Sequence, residues 1–247
     1  MPALLYPSPA FPDDYNRDEV RFDPFDPQAA FVASRTRHHI FHPMKSPSIK
    51  TKPLVEPKQA RAKEMYGSLL LAAQLILSEE GIEALNSNAI VERAGASTPS
   101  FYRYFKNKHA ILAVLGGQLM ERQNDVVREL VSSWNGEGAN FVNQVTTLLR
   151  KTLEVTESFQ GGYALTMALR AIPELRSIRL DSHKRISNML VKQAMELNPQ
   201  LSRKEAYDRC RLANEMGYAC VELLLETDEC NRERIIGLTA KAIYSIF

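Results

Sequence analysis

The side chains best equipped for chemistry in this chain lie together between positions 97 and 108. Ser97, Thr98, Ser100, Tyr102 and Tyr104 supply hydroxyls, Arg103 a guanidinium, and Lys106 and Lys108 ammonium groups. Hydroxyl and guanidinium groups in this density suit hydrogen bonding to base edges and phosphate oxygens rather than covalent chemistry. Arg103 and Lys106, taken singly, also fit ordinary solvated charges. Their place beside an ordered turn and an aromatic pair favours contact.

Two short helices must position these groups. The first spans about 87–94, with Ile90 and Ala94 one turn apart as its buried stripe, and Gly95 ends it without steric cost. Ser97 caps the second helix, and Pro99 fits its first turn, where the missing N–H would have no partner. Phe101 and Phe105 face the core, leaving Thr98, Ser100, Tyr102, Arg103 and Tyr104 for the other sides. Asn86, Ser87 or Asn88 caps the first helix, and Ser87 is a further candidate for a backbone phosphate. A preceding helix, about Gln59 to Glu80, carries Met65, Leu69, Leu70, Ala73, Ile76 and Leu77 in a 3.6-residue rhythm, stops at Gly81 and braces the pair.

The run Ala94-Gly95-Ala96-Ser97, then Phe101-Tyr102-Arg103-Tyr104-Phe105, then Lys106-Asn107-Lys108 resembles the helix-turn-helix of the TetR family of bacterial transcriptional regulators. The match covers about residues 60–115. The resemblance implies that Ser97, Thr98, Pro99, Ser100, Tyr102 and Tyr104 take DNA-contact positions and that Lys108 contacts phosphate. Many members carry glycine where Pro99 stands, and several carry histidine where Tyr104 stands.

Beyond Lys108 the apolar rhythm gives amphipathic helices over about 108–134, 138–155, 161–171, 174–197, 202–228 and 231–246. Gly136, Gly138, Gly161-Gly162 and Pro173 punctuate them, Ser202 with Glu205 forms a capping box, and Asn231 caps the last. The expected fold is all-α. An N-terminal three-helix domain with the helix-turn-helix, 58–112, precedes a C-terminal helical ligand-binding and dimerisation domain, 113–247. The resemblance places a homodimer interface at roughly 202–246. Independently, one short recognition helix reads only a few base pairs, so two copies on an inverted-repeat, double-stranded operator double the specific contacts. The resemblance also implies a small-molecule effector cavity within 113–230. Trp134, Phe141, Leu148, Phe159, Tyr163, Met167, Met189 and Tyr218 could line it, and fit equally well as ordinary core.

Charge is segregated along the chain. Residues 1–34 hold two basic and six acidic side chains, net −4, while 35–57 hold five basic and one acidic, net +4. Residues 58–112 add +2, so positive charge concentrates at 35–112 and implies salt-sensitive attraction to DNA phosphates. The first 57 residues form a Pro-rich arm, holding ten of thirteen prolines. Its seven aromatics, Tyr6 to Phe41, suggest partial docking on protein with the basic part near DNA. A solvated, disordered extension fits the prolines equally.

Other classes are disfavoured. No apolar run approaches the ~20 residues that span a bilayer, and the N-terminus lacks signal-peptide features, so a cytoplasmic protein without membrane contact is expected. Cys210, Cys220 and Cys230 fit neither a disulfide framework nor a zinc spacing and suit small buried hydrophobes. His38, His39 and His42 lack acidic or cysteine ligands nearby, so neither metal nor cofactor is expected. No nucleophile elbow or phosphate-cradling glycine loop appears, which argues against an enzyme. Two readings remain: a ligand-released repressor, and an architectural or cell-cycle DNA binder on the same scaffold without an inducer.

Overall fold

The structure is a computed structural model that describes residues 59–131 and 138–247; the N-terminal arm and Trp134 lie outside the described residues. Nine α-helices follow one another, with no strand among the described residues. Three short or medium helices come first: α1 (Ala60–Glu79), α2 (Ser87–Arg93) and α3 (Thr98–Tyr104). A longer set follows: α4 (Lys108–Val131), α5 (Gly138–Ser158), α6 (Gly162–Ala171), α7 (Arg176–Leu197), α8 (Arg203–Glu226) and α9 (Arg232–Tyr244). Pro173–Leu175 form a 3-10 turn before α7, because proline fixes a helical φ but offers no N–H.

The punctuation acts as its chemistry dictates. Gly81 and Gly95 take φ of +82° and +60°, the left-handed region that lets a helix end without a Cβ penalty. The Asn86 side chain accepts from the amides of Asn88 and Ala89 at 3.0 Å, and that of Asn231 accepts from Arg234 at 2.9 Å. At α8 the capping box closes. The Glu205 N–H donates to Ser202 Oγ at 3.3 Å, and the Ser202 hydroxyl (2.6 Å) and N–H (2.9 Å) both donate to the Glu205 carboxylate, which holds that carboxyl below its usual range.

The apolar stripe of α1 (Leu69, Leu70, Ala73, Ile76, Leu77) meets Ile90, Phe101 and Phe105, all buried. This cluster does not end at position 112. It continues through Leu115, Leu119 and Met120 of α4 into Leu165 and Leu169 of α6 and Leu175. A second cluster joins α5, α8 and α9 through Phe141, Val145, Leu149, Val221, Leu224, Ile236 and Ile243. Burial at these densities stabilises by about 25 cal/mol per Å² of apolar surface, the main favourable contribution in a helical protein.

Two glycines set close approaches at the α5–α6 turn, Gly161 against α1 and Gly162 against the end of α5. Gly161, at φ +75°, lies so close to α1 that a Cβ there would stand 2.8 Å from Leu77 Cβ and 3.3 Å from the Gln74 carbonyl oxygen. At Gly162 a Cβ would reach 2.0 Å from the Thr156 carbonyl oxygen. The pair, which punctuation alone marks in the sequence, is a site of close backbone approach.

Candidate DNA-reading head and internal pocket

The reading head is a seven-residue helix held from behind by aromatic packing. Phe101, Tyr104 and Phe105 turn inward, and Tyr66 of α1 stacks on Phe105 with ring centroids 5.2 Å apart and meets Tyr104 edge-on at 5.6 Å. Arg93 fastens α2 to the end of α1 by bonds to Glu79 (2.6 Å) and Glu80 (2.8 Å). Ser97 Oγ lies 2.9 Å from Ser100 Oγ and accepts from the Ser100 N–H at 3.4 Å. Asn107 Oδ1 accepts from Ala110 N at 3.0 Å and so caps α4.

This scaffold leaves Ser97, Thr98, Pro99, Tyr102, Arg103 and Lys106 exposed on one side, with Ser87, Ser100 and Lys108 half-buried at its margin. The hydroxyls of Ser87 and Tyr102 lie 3.3 Å apart, linking the start of α2 to the second half of α3. Tyr104 departs from expectation. It is 3% exposed against 48% for Tyr102, because it follows Phe101 by three positions and so falls on the same inward stripe. Its ring is core, facing Tyr66, with the Arg103 guanidinium 5.9 Å from its centroid.

The residues expected to line a cavity do not come together. Leu148 and Tyr218 line a pocket of about 80 Å³ between α4, α5, α7, α8 and α9, walled by aliphatic groups such as Val127, Leu190 and Ile243. Phe159, Tyr163 and Met167 instead border a separate, open cleft between the end of α1 and the α5–α6 turn. Phe141 packs against Tyr244 and Phe247 in the second apolar cluster. Met189 is half-buried and lines neither space. The α5 stripe turns Phe141 toward α9 and Leu148 toward the pocket, whereas Phe159 lies past the helix end.

Beside the pocket lies a buried polar network that the sequence reading missed. Tyr218 Oη donates to Gln123 Oε1 at 3.1 Å, Gln123 Nε2 donates to Thr156 Oγ1 at 2.7 Å, and Thr156 Oγ1 donates to the Thr152 carbonyl at 2.7 Å. The His183 ring, fully buried, stacks on Tyr218 at 4.1 Å and shares a 3.0 Å bond between Nδ1 and Glu215 Oε1. Glu215 also pairs with Arg211 at 2.5 Å and Arg179 at 3.3 Å, while His183 Nε2 and Asn124 Nδ2 have no protein partner. Burial lowers the His183 pKa to about 4. The two arginines reinforce the shift and Glu215 opposes it. Burial also raises the Tyr218 phenol. The available signal was Gln123-Asn124 within the apolar rhythm of α4, where a polar pair must find internal partners.

Cys210 and Cys220 are buried free thiols, Cys210 pushed up to about 12 by burial, and Cys230 is half-buried. Among the described residues no His/Cys/Asp/Glu group is arranged to hold a metal, and no helix is long and apolar enough to cross a membrane.

Comparison with known proteins agrees with this geometry. The family model described as bacterial regulatory proteins, tetR family, matches residues 69–115, from α1 into α4. An uncharacterised HTH-type transcriptional regulator, YvdT, of Bacillus subtilis strain 168 is 32% identical over 72 residues. That alignment takes in 29% of this chain and 36% of the relative, so the chain matches about a third of that protein's length. In fold, a tetR-family transcriptional regulator from Streptomyces coelicolor aligns over 74% of this chain and 80% of its own, at 13% identity and a TM-score of 0.56. The fatty acid degradation regulator FadR of Bacillus halodurans aligns over 76% and 96%, at 16% identity and a TM-score of 0.54. The helix-turn-helix region thus matches the pattern of the tetR family of bacterial regulatory proteins, and the described chain shares the all-helical fold of solved tetR-family regulators.

Proposed function

We propose that the protein is a repressor that grips an inverted-repeat operator as a homodimer and lets go when a small molecule occupies the pocket behind its reading heads. The observation that carries this reading is the course of α4. It begins at Lys108, directly after α3, and continues to Gln123 at the pocket, so one rigid element touches both sites. Fifteen residues at ~1.5 Å each separate the two points by about 22 Å. A ligand that prefers one setting of α4 acts on the head only through that preference.

On the DNA side, Thr98, Pro99, Tyr102 and Arg103 face outward to read or grip the duplex. Ser97 on this surface and Ser87, Ser100 and Lys108 at its margin serve phosphates. Tyr104 supports this surface by packing, in place of a direct contact. For the dimer, α8 presents Leu212, Met216, Ala219 and Leu223 at successive helical turns, and α9 presents Ile235, Leu238 and Ala242. Leu212 and Leu238 are 51% and 57% exposed. Two such stripes pairing with their symmetry mates give a four-helix contact within residues 202–246.

Selection of bound sequences from a random duplex pool, followed by sedimentation of the complex, tests the reading. Two chains on an inverted repeat are expected. Leu212→Glu with Leu238→Glu should give monomers whose operator affinity falls at least a hundredfold. Enrichment of no sequence, with dispersed binding, would instead favour an architectural DNA binder.

A further inference from the structure

We propose that the pocket between α4, α5, α7, α8 and α9 selects an electrically neutral, chiefly apolar molecule. Its size would be on the order of five to eight non-hydrogen atoms, since each water-sized group needs roughly 10–15 Å³ of the about 80 Å³ present. The inference rests on the effector reading and narrows it to a chemical class.

Three observations carry it. First, no Asp, Glu, Lys, Arg or His side chain lines the pocket. An ionised ligand would surrender its hydration without gaining a counter-charge, which penalises it heavily. Charges behind the lining are already engaged: Glu215, next to Asn214, pairs with Arg211, Arg179 and His183, and the Arg209 guanidinium donates to the Ile246 and Phe247 carbonyls at 2.6 and 3.4 Å.

Second, most polar groups in the lining are committed to one another. Gln123 uses its amide oxygen to accept from Tyr218 and its amide nitrogen to donate to Thr156. The Thr152 hydroxyl donates to the Leu148 carbonyl at 2.8 Å. A ligand that depended on these groups would have to break bonds that the protein has already made, so they favour no polar guest.

Third, one lining amide is held only weakly. Asn214 Nδ2 reaches the His183 carbonyl at 3.4 Å, near the limit of a hydrogen bond, and is the group most easily turned toward a guest. The ligand therefore carries at most one uncharged polar group, such as a hydroxyl or carbonyl, placed at Asn214. The remaining wall, including Val145, Leu149, Ile186 and Ala213, is aliphatic and selects by shape.

The test uses the purified full chain with three isosteres, hexan-1-ol, hexanoate and hexylammonium, at pH 7.5. Thermal unfolding and operator anisotropy are the readouts. Leu148→Trp and Ala213→Leu serve as two independent plugs of the pocket. The proposal expects hexan-1-ol to raise the Tm of the unsubstituted protein but of neither plugged variant, with each charged isostere at least tenfold weaker. Asn214→Leu should weaken hexan-1-ol while leaving hexane-like guests unaffected. Equal or tighter binding of either ion, binding of none of the three, or a Tm change shared with both plugged variants would overturn it. Pocket-dependent binding of the alcohol without release of the operator would uphold the class and overturn the effector switch, so the two failures are distinct.

Discussion

The reading head and the helical body solve opposite problems with the same secondary structure. Behind α3 every inward position of the head is apolar or aromatic, and the polar groups stand outside or cap a helix. The body buries Gln123, Asn124, Thr156, Ser182 and His183 at its centre, two of them with an unpartnered nitrogen, and keeps a pocket beside them. Apolar packing holds the reading surface in one shape. A half-satisfied polar interior costs stability and leaves the body easier to rearrange. The switch proposed above requires such a division between a rigid output and a core able to take a second arrangement.

The largest effect is expected inside the body, at the α5–α6 turn. Gly162→Ala would drive a methyl group into the Thr156 carbonyl, a clash of backbone with side chain that no rotamer relieves. We expect a loss above about 4 kcal/mol, seen as failure to fold or a collapse in Tm. Within the head, Tyr104→Ala and Tyr102→Ala should separate cleanly. The first removes a buried ring and should cost about 3–5 kcal/mol in chemical denaturation. The second should leave stability within about 0.5 kcal/mol while weakening operator binding.

In the body, pH provides the comparison. The unfolded chain takes up a proton on His183 near its ordinary value of 6.5, whereas the folded protein resists until about 4. The unfolded state therefore binds more protons in that window, and stability falls as pH drops through it, by roughly 3 kcal/mol in all. Urea titrations at stepped pH should show the slope, and His183→Phe should flatten it. The smallest effect belongs to the α8 cap: Ser202→Ala should cost about 1 kcal/mol and leave DNA binding unchanged.

The sequence made the head more legible than the body, for a physical reason. Caps and turns are local, so Gly95, Ser97, Asn231 and the Ser202–Glu205 pair declare themselves within four residues. The inward positions Ile90 of α2 and Phe101 of α3, with Phe105 just past the end of α3, follow from short-range apolar spacing. Tyr104 was misplaced because its hydroxyl suggested surface chemistry, although its position three residues after Phe101 pointed inward. The pocket residues failed differently. Tyr218, Gln123 and Thr156 are 33 to 95 positions apart along the chain, and nothing local declares that α4, α5 and α8 bring them together. Aromatic side chains marked apolar burial in Phe141 and Phe159, without marking which burial encloses free space, and Met167 and Met189 are only half-buried.

The central claim is that paired α3 surfaces grip the two halves of a palindromic duplex through Tyr102, Arg103 and their outward neighbours. Operator affinity measured across a salt series for the unsubstituted chain and for Tyr102→Phe with Arg103→Ala tests it most directly. The account predicts an affinity loss of at least tenfold per dimer and, if Arg103 serves a phosphate in each half-site, a salt slope shallower by about two, with Tm unchanged. A folded dimer that kept the original affinity, sequence preference and salt slope would contradict it.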